Sequence, residues 1–378
     1  MENESNVYQR LAEQPEILYR IIKKLPTIAI VLDENQHVLV WNKQAEKEFG
    51  WMEEEVLQRP VPIVSGESEK QYARLLDKVK KTREVIEDQE MICQRKDGSF
   101  VYVSVSLAEA NDKQGSVIYV CSMTNITKRK QDEIESQRQL KLAKKIQQSV
   151  LAQPVCNKQI AIDSLYIPSQ ELSGDMYTFY QMDEHRYGLI VIDVMGHGLS
   201  SALVSMSLRS LLRGLIVRAR DPIVVFDELK KHMKNLFSES DGDLPHHFSA
   251  IYLVIDTKHR TIEYINAGHP PAMLLEDEAQ AAVYLEEGGF VVGSAVDVPF
   301  TKGKISYSKR ARIIMYTDGL LDSLSPSVTA NLEKLERLMK KYHHCENEFF
   351  IQQLKHEIQT AATISDDICL VAVTLLNE

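Results

Sequence analysis

A chain of 378 residues, 44% hydrophobic and 26% charged, is too long for one ordinary domain and has the make-up of a globular protein of two or three. Its formal net charge of -10 argues against nucleic acid as a partner and against an anionic membrane surface. Five scattered cysteines (Cys93, Cys121, Cys156, Cys345 and Cys369) without a C-x-x-C pair argue against a disulfide framework and a zinc–thiolate site. No apolar run approaches the ~18 residues of a membrane span, and the acidic start is unlike a signal peptide, so the expected home is a reducing cytoplasm.

Residues 14–127 mix short strands with helix. Thr27 to Leu32 is an apolar run closed by the turn Asp33-Glu34-Asn35, and His37 to Trp41 reads as its hairpin partner. Lys96-Asp97-Gly98-Ser99 is a turn between two strands, the second being the β-branched Phe100 to Val105. Ser116 to Met123 is a further strand. Residues 128–151 contain neither Gly nor Pro and read as one helix, a linker with the makings of a coiled coil. Leu142, Ala143, Ile146 and Val150 share a face that must pack on something.

Residues 152–378 hold longer strands: Tyr187 to Ile192, Ser249 to Asp256, Thr261 to Asn266, Arg312 to Tyr316 and Ile368 to Leu376. Helices are expected over Leu199 to Val217, Pro222 to Phe237, Leu332 to Tyr342 and Asn347 to Ala361. Strands grouped in this way between helices predict stacked sheets covered by helices, within an α+β chain.

Aspartates recur where these strands end: Asp175 in Ser-Gly-Asp, Asp193 before Val194-Met195-Gly196-His197-Gly198, Asp318 before Gly319, and Asp366-Asp367 ahead of the last strand. Carboxylates that converge at a sheet edge repel one another and raise each other's pKa unless cations hold them. Hard divalent ions, Mg²⁺ or Mn²⁺, suit an all-oxygen set. Two such ions ~3.5–4 Å apart can activate water and clamp a phosphoryl group. The plainer alternative is a set of turn and cap residues, and spacing alone leaves both open.

Taken in order, Ser173-Gly174-Asp175-Met176-Tyr177, Val191-Ile192-Asp193-Val194-Met195-Gly196-His197-Gly198, Asn266-Ala267-Gly268-His269-Pro270-Pro271, Tyr316-Thr317-Asp318-Gly319-Leu320 and Ser365-Asp366-Asp367-Ile368 resemble the SpoIIE/RsbU branch of the PPM metal-dependent serine/threonine phosphatases. The resemblance implies an α-β-β-α sandwich with two Mn²⁺ or Mg²⁺ ions. It implies Asp175, Asp193, Asp318 and Asp366 as metal ligands, the Val194 carbonyl beside them, and Asp193 and Asp318 as the catalytic pair. Of the adjacent Asp366 and Asp367, the motif selects the first. Gly288-Gly289 and Gly293 resemble a family loop of structural role, and Thr178 stands where the family often has aspartate. His197 and His269 invite an acid–base role, against the plainer reading that each fixes a loop. His246-His247 and His343-His344 lack metal-binding spacing and are expected to be solvated.

Leu32 to Asn35, Trp41 to Ala45, Phe49-Gly50-Trp51, Lys96 to Ser99 and Asn125-Ile126-Thr127 resemble a PAS domain, with Asn125 in place of the usual aspartate. Its ligand is unknown: no cysteine has a flavin-photoreceptor context, and Trp41 and Trp51 read as core. The expectation is a cytoplasmic, sensor-regulated phosphatase acting on a phosphoserine or phosphothreonine protein. The resemblance points to a STAS-type anti-anti-sigma factor in stress signalling. A regulator would act on the PAS domain, and the chain would pair as a homodimer through PAS and linker. The rival is a non-catalytic scaffold. A sensor kinase fails for want of a phosphoacceptor histidine with an ATP-binding glycine motif.

Overall fold

The computed structural model describes residues 15–111, 115–196, 198–237, 247–293, 298–324, 328–360 and 365–376. The chain divides into two compact units, the break falling between Arg138 and Gln139.

In the first unit, β1 (Ile28–Asp33), β2 (Val38–Trp41), β3 (Ile86–Gln94), β4 (Phe100–Asn111) and β5 (Val117–Asn125) form an antiparallel sheet in the order β2-β1-β5-β4-β3. Helices α1 (Pro15–Lys24), α2 (Lys43–Phe49), α3 (Glu53–Val56) and α4 (Glu67–Thr82) complete the PAS fold expected from the sequence. Val101, Val103, Val105 and Leu107 alternate inward along β4, as a one-faced sheet requires. Tyr72, Leu75, Leu76 and Val79 bury the matching stripe of α4. Buried Asn42 caps α2, its Oδ1 accepting from Ala45 N at 2.9 Å and Ala29 N at 3.1 Å. Trp41 is wholly buried, and the cavity between Ile30, Ile63, Tyr72 and Met123 is only about 10 Å³.

Helix α5 (Thr127–Ser149) starts on Asn125, whose Oδ1 accepts from Thr127 N at 2.8 Å. The same side chain donates through Nδ2 to Glu48 Oε1 at 2.7 Å, which Arg95 Nη2 also reaches at 2.6 Å. The replacement for aspartate thus keeps the cap and adds a donor that a carboxylate lacks. Toward its C-terminal end the apolar face stays open within the single chain. Leu142 and Ile146 are 60% and 51% exposed, and the buried residue is Gln147.

The second unit stacks two sheets. One has the path β14 (Gly288–Gly289), β11 (Thr261–Ala267), β10 (His247–Asp256), β9 (Arg186–Val194), β8 (Met176–Gln181), with β15 (Val292–Gly293) on β10 and β16 (Gly303–Ser306) on β11. The other runs β13 (Val283–Leu285), β12 (Ala272–Glu276), β17 (Ala311–Tyr316), β18 (Ile368–Leu375), β7 (Ile160–Ile167), β6 (Val155–Cys156). Leu189, Val191, Ile251, Leu253, Ile313, Val371 and Val373 pack between the sheets. The outer face of the first sheet takes α6 (Leu199–Ala219) and α7 (Pro222–Leu236) through Ile190, Ile192, Tyr252, Leu212 and Phe226. The second takes α8 (Asp318–Leu324), α9 (Val328–Lys341) and α10 (Asn347–Thr360) through Ile314, Leu370, Leu320, Met339 and Phe350. Three apolar layers between four structural ones give the expected α-β-β-α sandwich. Each fully buried aliphatic in them contributes ~1.5–3 kcal/mol. Helix α6 is long and apolar enough to span a membrane by length and composition, but Ala202, Leu208, Leu212 and Ile216 are buried on its sheet-facing side.

Candidate metal centre

Alternation along the strands carries one row of side chains between the sheets and out at a single edge. Leu189 and Val191 belong to the inter-sheet core, so Asp193 continues that row on β9, and Tyr177 and Phe179 put Asp175 in the same row ahead of β8. Across the ladder Ser249 of β10 pairs with Asp193. In the second sheet β17 and β18 pair Tyr316 with Leu370, which brings Thr317-Asp318 and Asp366-Asp367 to the same edge. Gly319 is required there, because a Cβ on it would lie 2.1 Å from the Asp367 carbonyl oxygen.

Asp193, Asp318 and Asp366 line one cavity of about 310 Å³ with Met195, Gly196, His247, Ser249 and Val291. Asp175 lies behind it, 4% exposed, against Asp193 and Thr317. Its Oδ2 is buried without a partner among the described residues. Burial first, and the Asp193 charge second, push the Asp175 carboxyl well above the carboxylate range. Burial and Asp318 push Asp193 up to about 6, and burial and Asp366 raise Asp318. An orphaned buried oxygen beside carboxyls that resist ionisation fits a divalent cation with oxygen ligands. Val194 ends β9 with its side chain in the helix-side core, so only its backbone is left to meet an ion.

The two adjacent aspartates part in role. Asp367 accepts from Ser169 N at 2.7 Å, Ser169 Oγ at 2.8 Å and Gly174 N at 3.0 Å, so its carboxylate ties the Asp175 segment to β18. Asp366 is the one that faces the cavity. Thr178 sits on the opposite face of β8, between Met176 and Tyr180 of the helix-side core, and removes no ligand from the cavity. Behind Asp175, Gln147 grips the backbone of Ser173, donating from Nε2 to its carbonyl at 2.7 Å and accepting from its N–H at 3.2 Å.

The histidines are redistributed relative to expectation. His197 and His246 lie outside the described residues. His269 is a loop residue, its N–H donating to Asn266 Oδ1 at 2.8 Å, and its Nδ1 also meets Ser249 Oγ at 2.6 Å. Burial pushes its imidazole down to about 3, so it is neutral. His247, expected in solvent, lines the cavity, because the strand begins two residues earlier than its apolar run. His343 is also not solvated. It is 6% exposed, with Nε2 at 2.6 Å from Asp277 Oδ1, and His344 Nδ1 lies 3.8 Å from the same oxygen. Arg310 Nη1 stands 3.4 Å from that Nδ1, where it can donate to a neutral imidazole. Gly288 pairs with Asn266, and a Cβ on it would lie 1.9 Å from the Asn266 carbonyl oxygen, a structural role as expected.

Comparison with known proteins adds to this geometry. Residues 183–376 match the family model described as Stage II sporulation protein E (SpoIIE), and residues 16–126 match the PAS fold. Phosphoserine phosphatase RsbP of Bacillus subtilis is 44% identical over 192 residues, 51% of this chain and 47% of that protein. Protein IcfG of Synechocystis is 25% identical over 212 residues, covering 50% of this chain and 33% of that protein. This chain therefore aligns with half or less of the length of these curated relatives. Among solved structures, the SiaA-PP2C domain of Pseudomonas aeruginosa superposes with a TM-score of 0.54 at 17% identity, over 65% of this chain and 99% of that one. The RsbU and RsbW domains of a Mycobacterium tuberculosis protein give 0.52 at 21%, over 60% and 63%. Both show the fold.

Proposed function

The chain belongs to the SpoIIE family, and from that membership we propose that its second unit is a metal-dependent protein serine/threonine phosphatase regulated by the PAS unit. The observation that carries the reading is the buried, unpartnered Oδ2 of Asp175 behind three carboxylates that line one cavity. Asp175, Asp193, Asp318 and Asp366, with the Val194 carbonyl, hold the metal. Bound there, two Mn²⁺ or Mg²⁺ ions supply Lewis acidity and a positive clamp for a phosphoryl group. Asp193 and Asp318 orient the centre from opposite sheets. Asp367 ties the Asp175 segment to β18 through Ser169 and Gly174, and Gly319 lets the Asp318 turn pack against Asp367. Among the described residues no cysteine lines the cavity, so hydrolysis by direct attack of water fits the site better than a covalent thiol intermediate. The fitting substrate is a phosphoprotein of the STAS anti-anti-sigma type in a sigma-factor stress pathway. The setting is cytoplasmic, and the chain acts as a homodimer.

The test is Mn²⁺-dependent release of phosphate from a phosphoserine protein. The Asp193→Ala and Asp318→Ala variants should keep the circular-dichroism spectrum of the parent and lose turnover by roughly 10³-fold or more. A folded Asp318→Ala variant with normal turnover removes the assignment. A wild-type protein that binds the phosphoprotein and Mn²⁺ without releasing phosphate is a scaffold.

A further inference from the structure

We propose that Phe290 is a specificity-determining residue of this site, an exposed aromatic ring that packs on an apolar residue beside the phosphoserine of an extended substrate segment. The inference rests on the phosphatase reading and deepens it, by naming the chemistry of the chain that the site accepts.

The rim of the cavity is built on the first residues of β10. From the β9 side, Val194 pairs with Phe248, and Met195 N donates to the His247 carbonyl at 3.1 Å. From the other side, Val292 pairs with Phe248 and Gly293 with His247. Met195 and Val291 both line the cavity, so they reach it from opposite sides, two ladder steps or roughly 10 Å apart. One extended chain needs about that width between two neighbours.

The segment that carries Phe290 is fixed at both ends and from below. Gly288 and Gly289 form β14 along Asn266 and Ala267, and the Gly288 carbonyl accepts from Thr301 N at 2.9 Å and Thr301 Oγ1 at 2.8 Å. A Cβ on Gly289 would lie 2.9 Å from the Phe300 ring, which packs on Phe226 of α7 with centroids 4.9 Å apart. Val291 lies against Gly268, where a Cβ would meet its Cγ1 at 2.8 Å. Val292 is wholly buried in the helix-side core. Between these anchors Phe290 is 66% exposed, the most exposed large apolar side chain among the described residues. Folding gains little from such a ring. A partner gains its whole apolar area and loses little ordering entropy, because the backbone beneath it is already fixed. Aromatic and methionine side chains are enriched at protein–protein contacts, and half-exposed Met195 supplies the second of these.

The occupant follows from reach. Phe290 stands one residue, ~3.8 Å of chain, from the cavity-lining Val291. A substrate whose phosphoseryl group enters the cavity holds its flanking residues a similar distance outside it. A leucine there covers the ring. An aspartate there would lose water against apolar surface without gaining a partner.

Full-length protein with Mn²⁺ is assayed on two phosphoserine peptides that differ only in carrying leucine or aspartate on both sides of phosphoserine. A third substrate, p-nitrophenyl phosphate, has no flanking residue. Wild type, Phe290→Ala and Phe290→Leu are compared, with oligomeric state followed by light scattering. Wild type should favour the leucine peptide by roughly 30-fold in kcat/KM. In Phe290→Ala that preference should fall to about threefold or less, through KM rather than kcat, since the contact is the same before and during reaction. Phe290→Leu stays apolar and should keep at least about tenfold. The fall of Phe290→Ala on the leucine peptide should exceed any fall on the aryl phosphate by at least about fivefold. Wild type that cleaves the aryl phosphate but treats the two peptides alike would overturn the assignment. So would a preference that survives Phe290→Ala, equal falls on leucine peptide and aryl phosphate, or a loss that tracks a change of oligomeric state, which would make the ring a contact between copies. Wild type inactive on all three substrates would instead refute the phosphatase reading itself.

Discussion

Replacing Asp193 by asparagine should make the metal-free protein more stable while destroying its response to metal. The Asp193 carboxyl is pushed up to about 6 from an ordinary 3.8 by burial and by Asp318. Keeping it ionised in the folded, metal-free state therefore costs about 3 kcal/mol at roughly 1.4 kcal/mol per pH unit. The sign follows from the direction of the shift. A carboxyl raised in the folded state favours folding while protonated, so its contribution is present below pH 3.8 and is lost as pH rises through about 6. At pH 7.5 the whole cost applies, and an uncharged asparagine removes it. For a unit of this size about 3 kcal/mol corresponds to roughly 6–12 °C in Tm. The assay is thermal unfolding in EDTA at pH 5 and 7.5, repeated with Mn²⁺. Wild type should gain Tm on adding Mn²⁺. Asp193→Asn should exceed wild type in EDTA at pH 7.5, exceed it by less at pH 5, and gain little from Mn²⁺. A variant less stable than wild type in EDTA at pH 7.5, or one that keeps the full Mn²⁺ increment, would refute the reasoning.

Gln147→Ala removes both hydrogen bonds to Ser173 and leaves its N–H and carbonyl buried without their present partner, a cost of roughly 2–4 kcal/mol. Mn²⁺ affinity by calorimetry should fall at least about tenfold, since Asp175 lies two residues on; an unchanged affinity would leave Gln147 as packing alone. Asn125→Asp keeps the cap on Thr127 but sets a second carboxylate against Glu48 in place of the 2.7 Å donor. Hydrogen exchange should then quicken in the first turns of α5 with the PAS core unaffected, and exchange equal to wild type would show that Arg95 alone holds that corner.

The sandwich was legible because its strands are long apolar runs, and β9, β10, β17 and β18 all fall within two residues of where those runs put them. Strands β7 and β8 escaped notice: Ile160–Ile167 mixes buried and half-buried positions, and Met176–Gln181 is short and polar-tipped. The aspartates stood out by their place at strand ends, but what each one touches did not. Sequence could rank Asp366 over Asp367 by motif only. The physical difference is that Asp367 spends its oxygens on Ser169 and Gly174, partners about two hundred positions away in the chain. His247 was overlooked for the complementary reason. A histidine beside another in a polar stretch looks solvated until the strand register aims it into the cavity.

Helix α5 has contacts that its sequence pattern did not show. Within the single chain Leu142 and Ile146 stay exposed, and the contacts near its two ends include two amides, Asn125 and Gln147, beside the ion pairs of Arg129 and Lys130 with Glu90 and of Lys144 with Glu171. The physical consequence concerns reversibility. An apolar face once buried contributes ~1.5–3 kcal/mol per large side chain and holds the helix in one place. An amide hydrogen bond contributes ~0.5–1.5 kcal/mol net and can be exchanged for water. Two such bonds at Ser173 sum to ~1–3 kcal/mol, which is the range of a typical coupling free energy between sites. A stronger attachment would fix the Asp175 segment permanently, and a weaker one would leave it indifferent to the helix. The Gln147 grip lies between these limits, so on the proposed metal-site reading it is a contact through which a change in the helix would reach the Asp175 segment without unfolding it.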